Sequence, residues 1–344
     1  ADYCLALPIY GNRRSGNARQ PITQQGHRAR AMNEYPLTLS AADGHPITGT
    51  LYAPPAPTAV LVISHGMAEH GGRYAELARW LAARGLAVIT YHHRGHDPDG
   101  PARDLGHYAD RDGWRKVLAD LGQVITEARA RVPGRPVNLL GHSMGSFIAQ
   151  GYAQAHGETV DTLILSATNR IHRPQLRAAL ALLGVLRRLR GQRHRSRLIQ
   201  RLTFGQFNRR FRPNRTEADW LSRDPAQVDR YLADPACGFA CSVGLWQDFL
   251  AGMLTLAPVR WRRDLPVHLF SGTADPVGEM GRGIRRHFQA IREAGIERVT
   301  LRLFDGGRHE MLNEIHRDEV WSYLLSLCRT LPQTTDTAML EPTL

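Results

Sequence analysis

The stretch GHSMG, residues 141–145, sets a serine hydroxyl between two glycines where an apolar run gives way to an amphipathic pattern. In that position G-x-S-x-G describes a sharp strand-to-helix turn that projects the serine, here Ser143, from the top of a sheet. Glycine is required at 141 and 145 because the approaching backbones leave no room for side chains. The free N–H groups and positive dipole end of the following helix would favour a developing oxyanion. A hydroxyl needs a base, and the base needs an orienting acid. In a fold with this turn they follow in the order Ser, Asp, His. FSGTADPVG places Asp275 just past one apolar run, and FDGGRHEM places His309 just past another. Ser143, Asp275 and His309 thus fall at three strand ends on one rim. Asp305 and Glu310 are competing acids, but they abut the histidine too closely in sequence to orient it from across the rim. SHGMAEHGGRY, residues 64–74, is a further strand end that turns sharply. There the backbone N–H of Met67 can face that of Met144 and complete an oxyanion hole.

The elements that must position these groups are legible in the periodicity. Two short alternating runs, EYPLTLS and PITGTLYAP, on either side of AADGH predict a hairpin at 34–54. Strands and helices then alternate: a strand at 59–66, a helix ended by Gly85, a strand, a helix over 113–131, a strand before Gly141 and a helix from Ser146. A further strand ends near 168. Fully apolar strands alternating with helices predict an α/β fold, with a mostly parallel, doubly wound sheet covered on both faces. The alternation stops over 169–263, which reads as a helical cap inserted between late strands, over the edge where such sheets bind ligands. It resumes at 266–272, with a helix over 278–295, a last strand at 298–304 and a closing helix. The core is therefore expected at 32–168 and 264–330, with tails at 1–31 and 331–344. GEMGRG at 278–283 lacks the dinucleotide-binding spacing. The chemistry expected of the triad needs no cofactor and no metal.

The net charge of +12 is local. Fourteen arginines and no acid lie between Arg170 and Arg215, so the rest of the chain is slightly acidic. Lys116 is the single lysine, which points to a general preference for arginine. No nucleic-acid motif accompanies the cluster, and nucleic acid is not an expected partner. Two readings fit it: a basic amphipathic surface that meets anionic membrane, and a solvated face. No apolar run reaches transmembrane length. CLALPIY precedes its arginines, the reverse of a secretory signal, so a cytoplasmic protein is expected, with peripheral contact at the inner membrane surface. Cys4, Cys237, Cys241 and Cys328 suggest no disulfide framework. Cys237 and Cys241 have the spacing of one helical turn but lack the partners of a metal site. His65 reads as a structural hydrogen-bonder. His92, His93 and His96 are read as stabilising a turn.

At these residues the sequence resembles the α/β-hydrolase family of monoacylglycerol lipases and bacterial lysophospholipases, over roughly 33–330. The motifs that carry the resemblance are HGMAEHGGRY, RGH, GHSMGS, ADPVG and GGRHEMLNE. It implies the same triad of Ser143, Asp275 and His309, with Met67 and Met144 as oxyanion donors. It also implies that Glu69 and Arg73 help to hold a glycerol head group. Two departures stand out: Leu312 replaces a second histidine of those lipases, and HHRGHD replaces DHRGHG.

The expected function is a serine carboxylic-ester hydrolase of single-chain lipid esters, either lysophospholipids or monoacylglycerols. A general carboxylesterase, an aminopeptidase or an acyltransferase fits the same triad, and so does a catalytically silent lipid-binding protein. Phe204, Phe207, Phe211, Trp220, Phe239 and Trp246 are candidates to line an acyl tunnel, although aromatic residues in a helical insertion more often form its own core.

Overall fold

The computed structural model describes residues 32–329. The expected tails at 1–31 and at 331–344, with Cys4, lie outside them. Eight strands form one sheet: β1 Asn33–Ser40, β2 Pro46–Ala53, β3 Ala59–Ser64, β4 Leu86–Tyr91, β5 Val137–His142, β6 Thr162–Ser166, β7 Val267–Gly272 and β8 Val299–Phe304. Their order is β1-β2-β4-β3-β5-β6-β7-β8. β1 and β2 pair antiparallel, as do β2 and β4, and all later neighbours are parallel. Every residue of β3, β4, β5 and β6 is buried, which is why these strands read as unbroken apolar runs rather than as alternations.

Helices cover both faces. α1 Ala75–Ala82 and α10 Arg317–Arg329 pack Leu77, Leu81, Val320 and Leu324 against one face. α2 Gly113–Arg131, α3 Met144–His156 and α9 Arg282–Glu293 pack Val117, Leu121, Ile148, Ile284 and Ile291 against the other. In α1, α2, α9 and α10 the buried residues recur at the spacing of one helix face, whereas α3 is buried on all sides from Met144 to Ala153.

Two helix starts differ from expectation. α3 begins at Met144, directly after Ser143, not at Ser146. α9 begins at Arg282 instead of 278, because Glu279, Met280 and Gly281 all take positive φ (55°, 58° and 82°), which an α-helix does not admit.

Between β6 and β7 stand α4 Arg173–Arg190, α5 Arg197–Leu202, α6 Phe204–Asn208, α7 Pro225–Ala233 and α8 Val243–Thr255. A small core of Ala218, Trp220, Leu221 and Val228 joins part of this segment, with Phe204, Phe207, Phe211 and Tyr231 packed around it. Cys237 and Cys241 lie in the irregular stretch between α7 and α8, so the expected helical-turn relation between them does not hold. Among the described residues, no helix is long and apolar enough to cross a membrane.

Candidate active site

Ser143 sits between β5 and α3 with φ 51° and ψ −119°, a strained conformation for a residue with a side chain. The neighbouring glycines permit it. A Cβ at Gly141 would lie 2.4 Å from the Gly145 carbonyl oxygen, and one at Gly145 would lie 2.0 Å from that of Ser64. The turn is pinned by Ser143 N–H donating to the Ser166 carbonyl (2.9 Å) and by Ser146 Oγ donating to the Ser143 carbonyl (2.6 Å).

Asp275 follows β7 and His309 follows β8. Ser143 Oγ lies 2.9 Å from His309 Nε2, and His309 Nδ1 lies 2.9 Å from Asp275 Oδ1. Asp275 is fully buried, and its carboxylate also accepts from Ser271 Oγ and from the Val277 N–H, both at 2.9 Å. With both oxygens engaged, the carboxylate fixes the imidazole with Nδ1–H pointing at it and Nε2 free to accept from the serine. Burial pushes His309 down, but the charge and hydrogen bond of Asp275, with Glu310 and Glu69 behind, carry it above the ordinary histidine value. Of the competing acids, Asp305 is exposed and accepts from Thr273 Oγ1, and Glu310 turns away from His309 to Arg73.

Met67 and Met144 face the same cavity. Among the described residues, neither backbone N–H is given to a protein acceptor. Ala68, next to Met67, is held at φ 55° by two bonds to its carbonyl, from Gly238 N–H (2.9 Å) and Tyr231 Oη (3.2 Å).

Glu69 and Arg73, which the resemblance assigns to the glycerol of a substrate, form a buried network beside the catalytic turn. Neither lines the cavity that holds Ser143. Arg73 pairs bidentately with Glu310 (2.6 and 2.8 Å) and also with Glu69 (2.6 Å). The other Glu69 oxygen accepts from Gly66 N–H and from Tyr74 Oη. Burial raises Glu310, yet Arg73 outweighs it and holds the carboxyl far below its usual range. This network ties the Met67 turn to the His309 turn. The Arg73–Glu310 pair spans 237 residues and left no local signal in the sequence.

The cavity has a volume of about 590 Å³, within the range of small-molecule sites. Four of the six aromatic candidates line it: Phe204, Phe207, Trp220 and Trp246. Phe239 packs on the His96 ring instead, and Phe211 lies under the Arg308 guanidinium. Phe147 and Phe249 also line it and were missed. Phe147 was findable, since it follows Ser143 by one helical turn. Trp220 comes within 4.9 Å of the His309 ring, ring centre to ring centre.

The histidines of the first loops are structural. His65 Nε2 accepts from the His93 N–H, His96 Nδ1 meets the Arg94 carbonyl, and His92 Nδ1 accepts from the Gly71 N–H. Burial holds His65, His93 and His96 below the ordinary value. A cluster of metal-ligand types not anticipated from the sequence joins His70, Asp234 and Cys237, whose donor atoms lie within 4.8 Å of one another. His70 Nε2 is already 2.9 Å from Asp234, and burial pushes the Cys237 thiol up, against the thiolate a metal would need.

The family model described as serine aminopeptidase, S33, matches residues 55–316. The chain is 30% identical to a monoacylglycerol lipase of Mycolicibacterium smegmatis, over 78% of this chain and 89% of that one. It is 26% identical to the monoglyceride lipase of Homo sapiens, over 80% and 84% respectively. Among solved structures it is similar to a highly thermostable carboxyl esterase from Bacillus coagulans, solved with glycerol. That match has a TM-score of 0.78 and 25% identity, and covers 86% of this chain and 98% of the other.

Proposed function

This chain belongs to the serine aminopeptidase S33 family, as an α/β-hydrolase of the monoacylglycerol lipase type that acts on esters, and from that premise we propose that it hydrolyses single-chain lipid esters through Ser143, His309 and Asp275. The observation that carries the reading is the unbroken hydrogen-bonded series from Ser143 through His309 to Asp275, set in a cavity with an aromatic wall. Ser143 Oγ attacks the ester carbonyl as its proton passes to His309 Nε2. The Met67 and Met144 N–H groups receive the oxyanion. Collapse of the tetrahedral intermediate breaks the bond to the alcohol, which leaves with the proton from His309. Water, deprotonated by His309, then attacks the acyl-serine and releases the fatty acid. Asp275 holds the tautomer throughout.

The aromatic wall supports an acyl chain as the group held beside Ser143. An aminopeptidase would need a carboxylate free to meet the substrate ammonium. Glu279, the carboxylate among the lining residues, is instead paired with Arg170 at 3.0 Å. The test is a panel of a monoacylglycerol, lysophosphatidylcholine, p-nitrophenyl butyrate and an amino-acyl p-nitroanilide. Turnover of the esters, with the anilide inert, is the expected result. Turnover of the anilide alone would overturn the reading.

The exterior of the cap supports contact with an anionic membrane. Leu182, Val185 and Leu189 of α4 are exposed and share one face, and Leu198 and Leu202 of α5 are exposed as well. Arg187, Arg188 and Arg190 fill the last turn of α4. An apolar stripe bordered by arginines matches an anionic bilayer in charge and in depth.

A further inference from the structure

Besides its aromatic side chains, the cavity beside Ser143 is lined by three arginines, Arg170, Arg210 and Arg282, against the single acid Glu279. Arg170 neutralises that acid through two bonds, Nε to Oε1 at 3.0 Å and Nη2 to Oε2 at 3.3 Å. This leaves Arg210 and Arg282. Arg210, in the short turn 209–211 of the cap, and Arg282, the first residue of α9, both line this cavity and both are exposed to solvent. Among the described residues, Arg210 has no hydrogen-bond or ion-pair partner, and Arg282 gives only its Nε–H, to the Glu279 carbonyl at 3.3 Å. The first turn of α4, with His172 and Gln175 on the cavity and no acid among its residues, adds the positive end of a helix.

A neutral glycerol head group offers two guanidinium groups hydroxyl acceptors but no charge, and the Arg73 that the resemblance assigns to a glycerol is paired with Glu69 and Glu310. A phosphate uses them fully, because guanidinium donors match its oxygens bidentately. In a single-chain glycerophospholipid the glycerol backbone alone separates the ester from the phosphate, so both must be met within one cavity. We propose that Arg210 and Arg282 select substrates whose head group carries a phosphate, making this enzyme a hydrolase of anionic lysophospholipids in preference to monoacylglycerols. The inference rests on Ser143 being the nucleophile of an ester hydrolase.

The test compares hexanoyl esters, kept monomeric so that attraction of aggregates to the basic exterior plays no part. The substrates are lysophosphatidylglycerol, lysophosphatidic acid, lysophosphatidylcholine and monoacylglycerol, with p-nitrophenyl butyrate as the reference ester. In the wild type, kcat/KM for the two anionic lipids should exceed that for the monoacylglycerol by at least about ten-fold, with the zwitterionic lipid between, and the advantage should lie in KM. In Arg210→Gln/Arg282→Gln the ratio of anionic to neutral kcat/KM should fall by at least about ten-fold. Preference for lysophosphatidic acid over lysophosphatidylglycerol would identify a phosphomonoester, and the reverse a phosphodiester. Equal kcat/KM for anionic and neutral esters in the wild type, or a ratio unmoved in the double variant, overturns the proposal. A wild type that fails on every ester, the reference included, contradicts the ester-hydrolase reading and with it the premise.

Discussion

His309 is buried against Trp220 and His142, surroundings that by themselves lower an imidazole, and the Asp275 carboxylate reverses the sign. A base must be neutral to accept the Ser143 proton, and a raised pKa keeps it protonated to higher pH. The acid limb of kcat/KM on p-nitrophenyl butyrate should therefore have its midpoint above the ordinary histidine value of about 6.5, with activity rising as pH rises through it. Asp275→Asn removes both the charge and the acceptor. Turnover should drop by about 10⁴-fold through the wrong tautomer, and the residual midpoint should move below that of the wild type. If Asp305→Asn were instead the more damaging change, the acid would be misassigned. The three residues were legible in the sequence because each follows an apolar strand, and strand ends of a parallel sheet share a rim. Arg73 and Glu310 were not legible in this sense. Their pairing depends on two loops meeting in space, 237 residues apart in the chain.

At the level of elements, the loop that carries Met67 is held from below by Glu69, Arg73 and Glu310 and from above by the cap, through Tyr231 and Gly238. Arg73→Met strands two carboxylates in the interior. Breaking a buried pair from one side costs about 3–5 kcal/mol, and a displaced oxyanion donor about 10²–10³ in kcat. Urea unfolding and steady-state kinetics should show both losses. If Arg73 acted only on substrate, stability would hold and KM alone would rise. The sheet was readable almost strand by strand: β3 to β6, buried on both faces, read as unbroken apolar runs, and the edge hairpin of β1 and β2 read as alternation around Asp43-Gly44. The cap was read only as irregular helix, because α5 buries no apolar stripe and α6 packs Phe204 and Phe207 around Trp220 rather than along a repeating face. The late start of α9 was missed because positive φ at Glu279 and Met280 has no signature in those residue types.

For the whole molecule, charge and apolar surface coincide on the exterior of the cap. Not every arginine there is available. Arg193 is engaged by Asp104 and Asp110, at 3.0 Å each, whereas Arg188 and Arg190 stand exposed on α4 beside Leu189. Each arginine near an anionic surface contributes about 1 kcal/mol, screened by salt. Binding to phosphatidylglycerol vesicles, measured by sedimentation, should thus fall steeply between low and physiological salt. Arg187→Gln/Arg188→Gln/Arg190→Gln should reproduce the loss at low salt. A wild type that ignores such vesicles at low salt would leave the cluster as a solvated face. The selectivity of the cavity presupposes Ser143 as the nucleophile. Fluorophosphonate labelling of the intact protein, followed by peptide mass mapping, tests that most directly. The account predicts a single adduct on Ser143, absent from Ser143→Ala and strongly slowed in His309→Ala. No adduct, or an adduct on another residue that survives in Ser143→Ala, would contradict it.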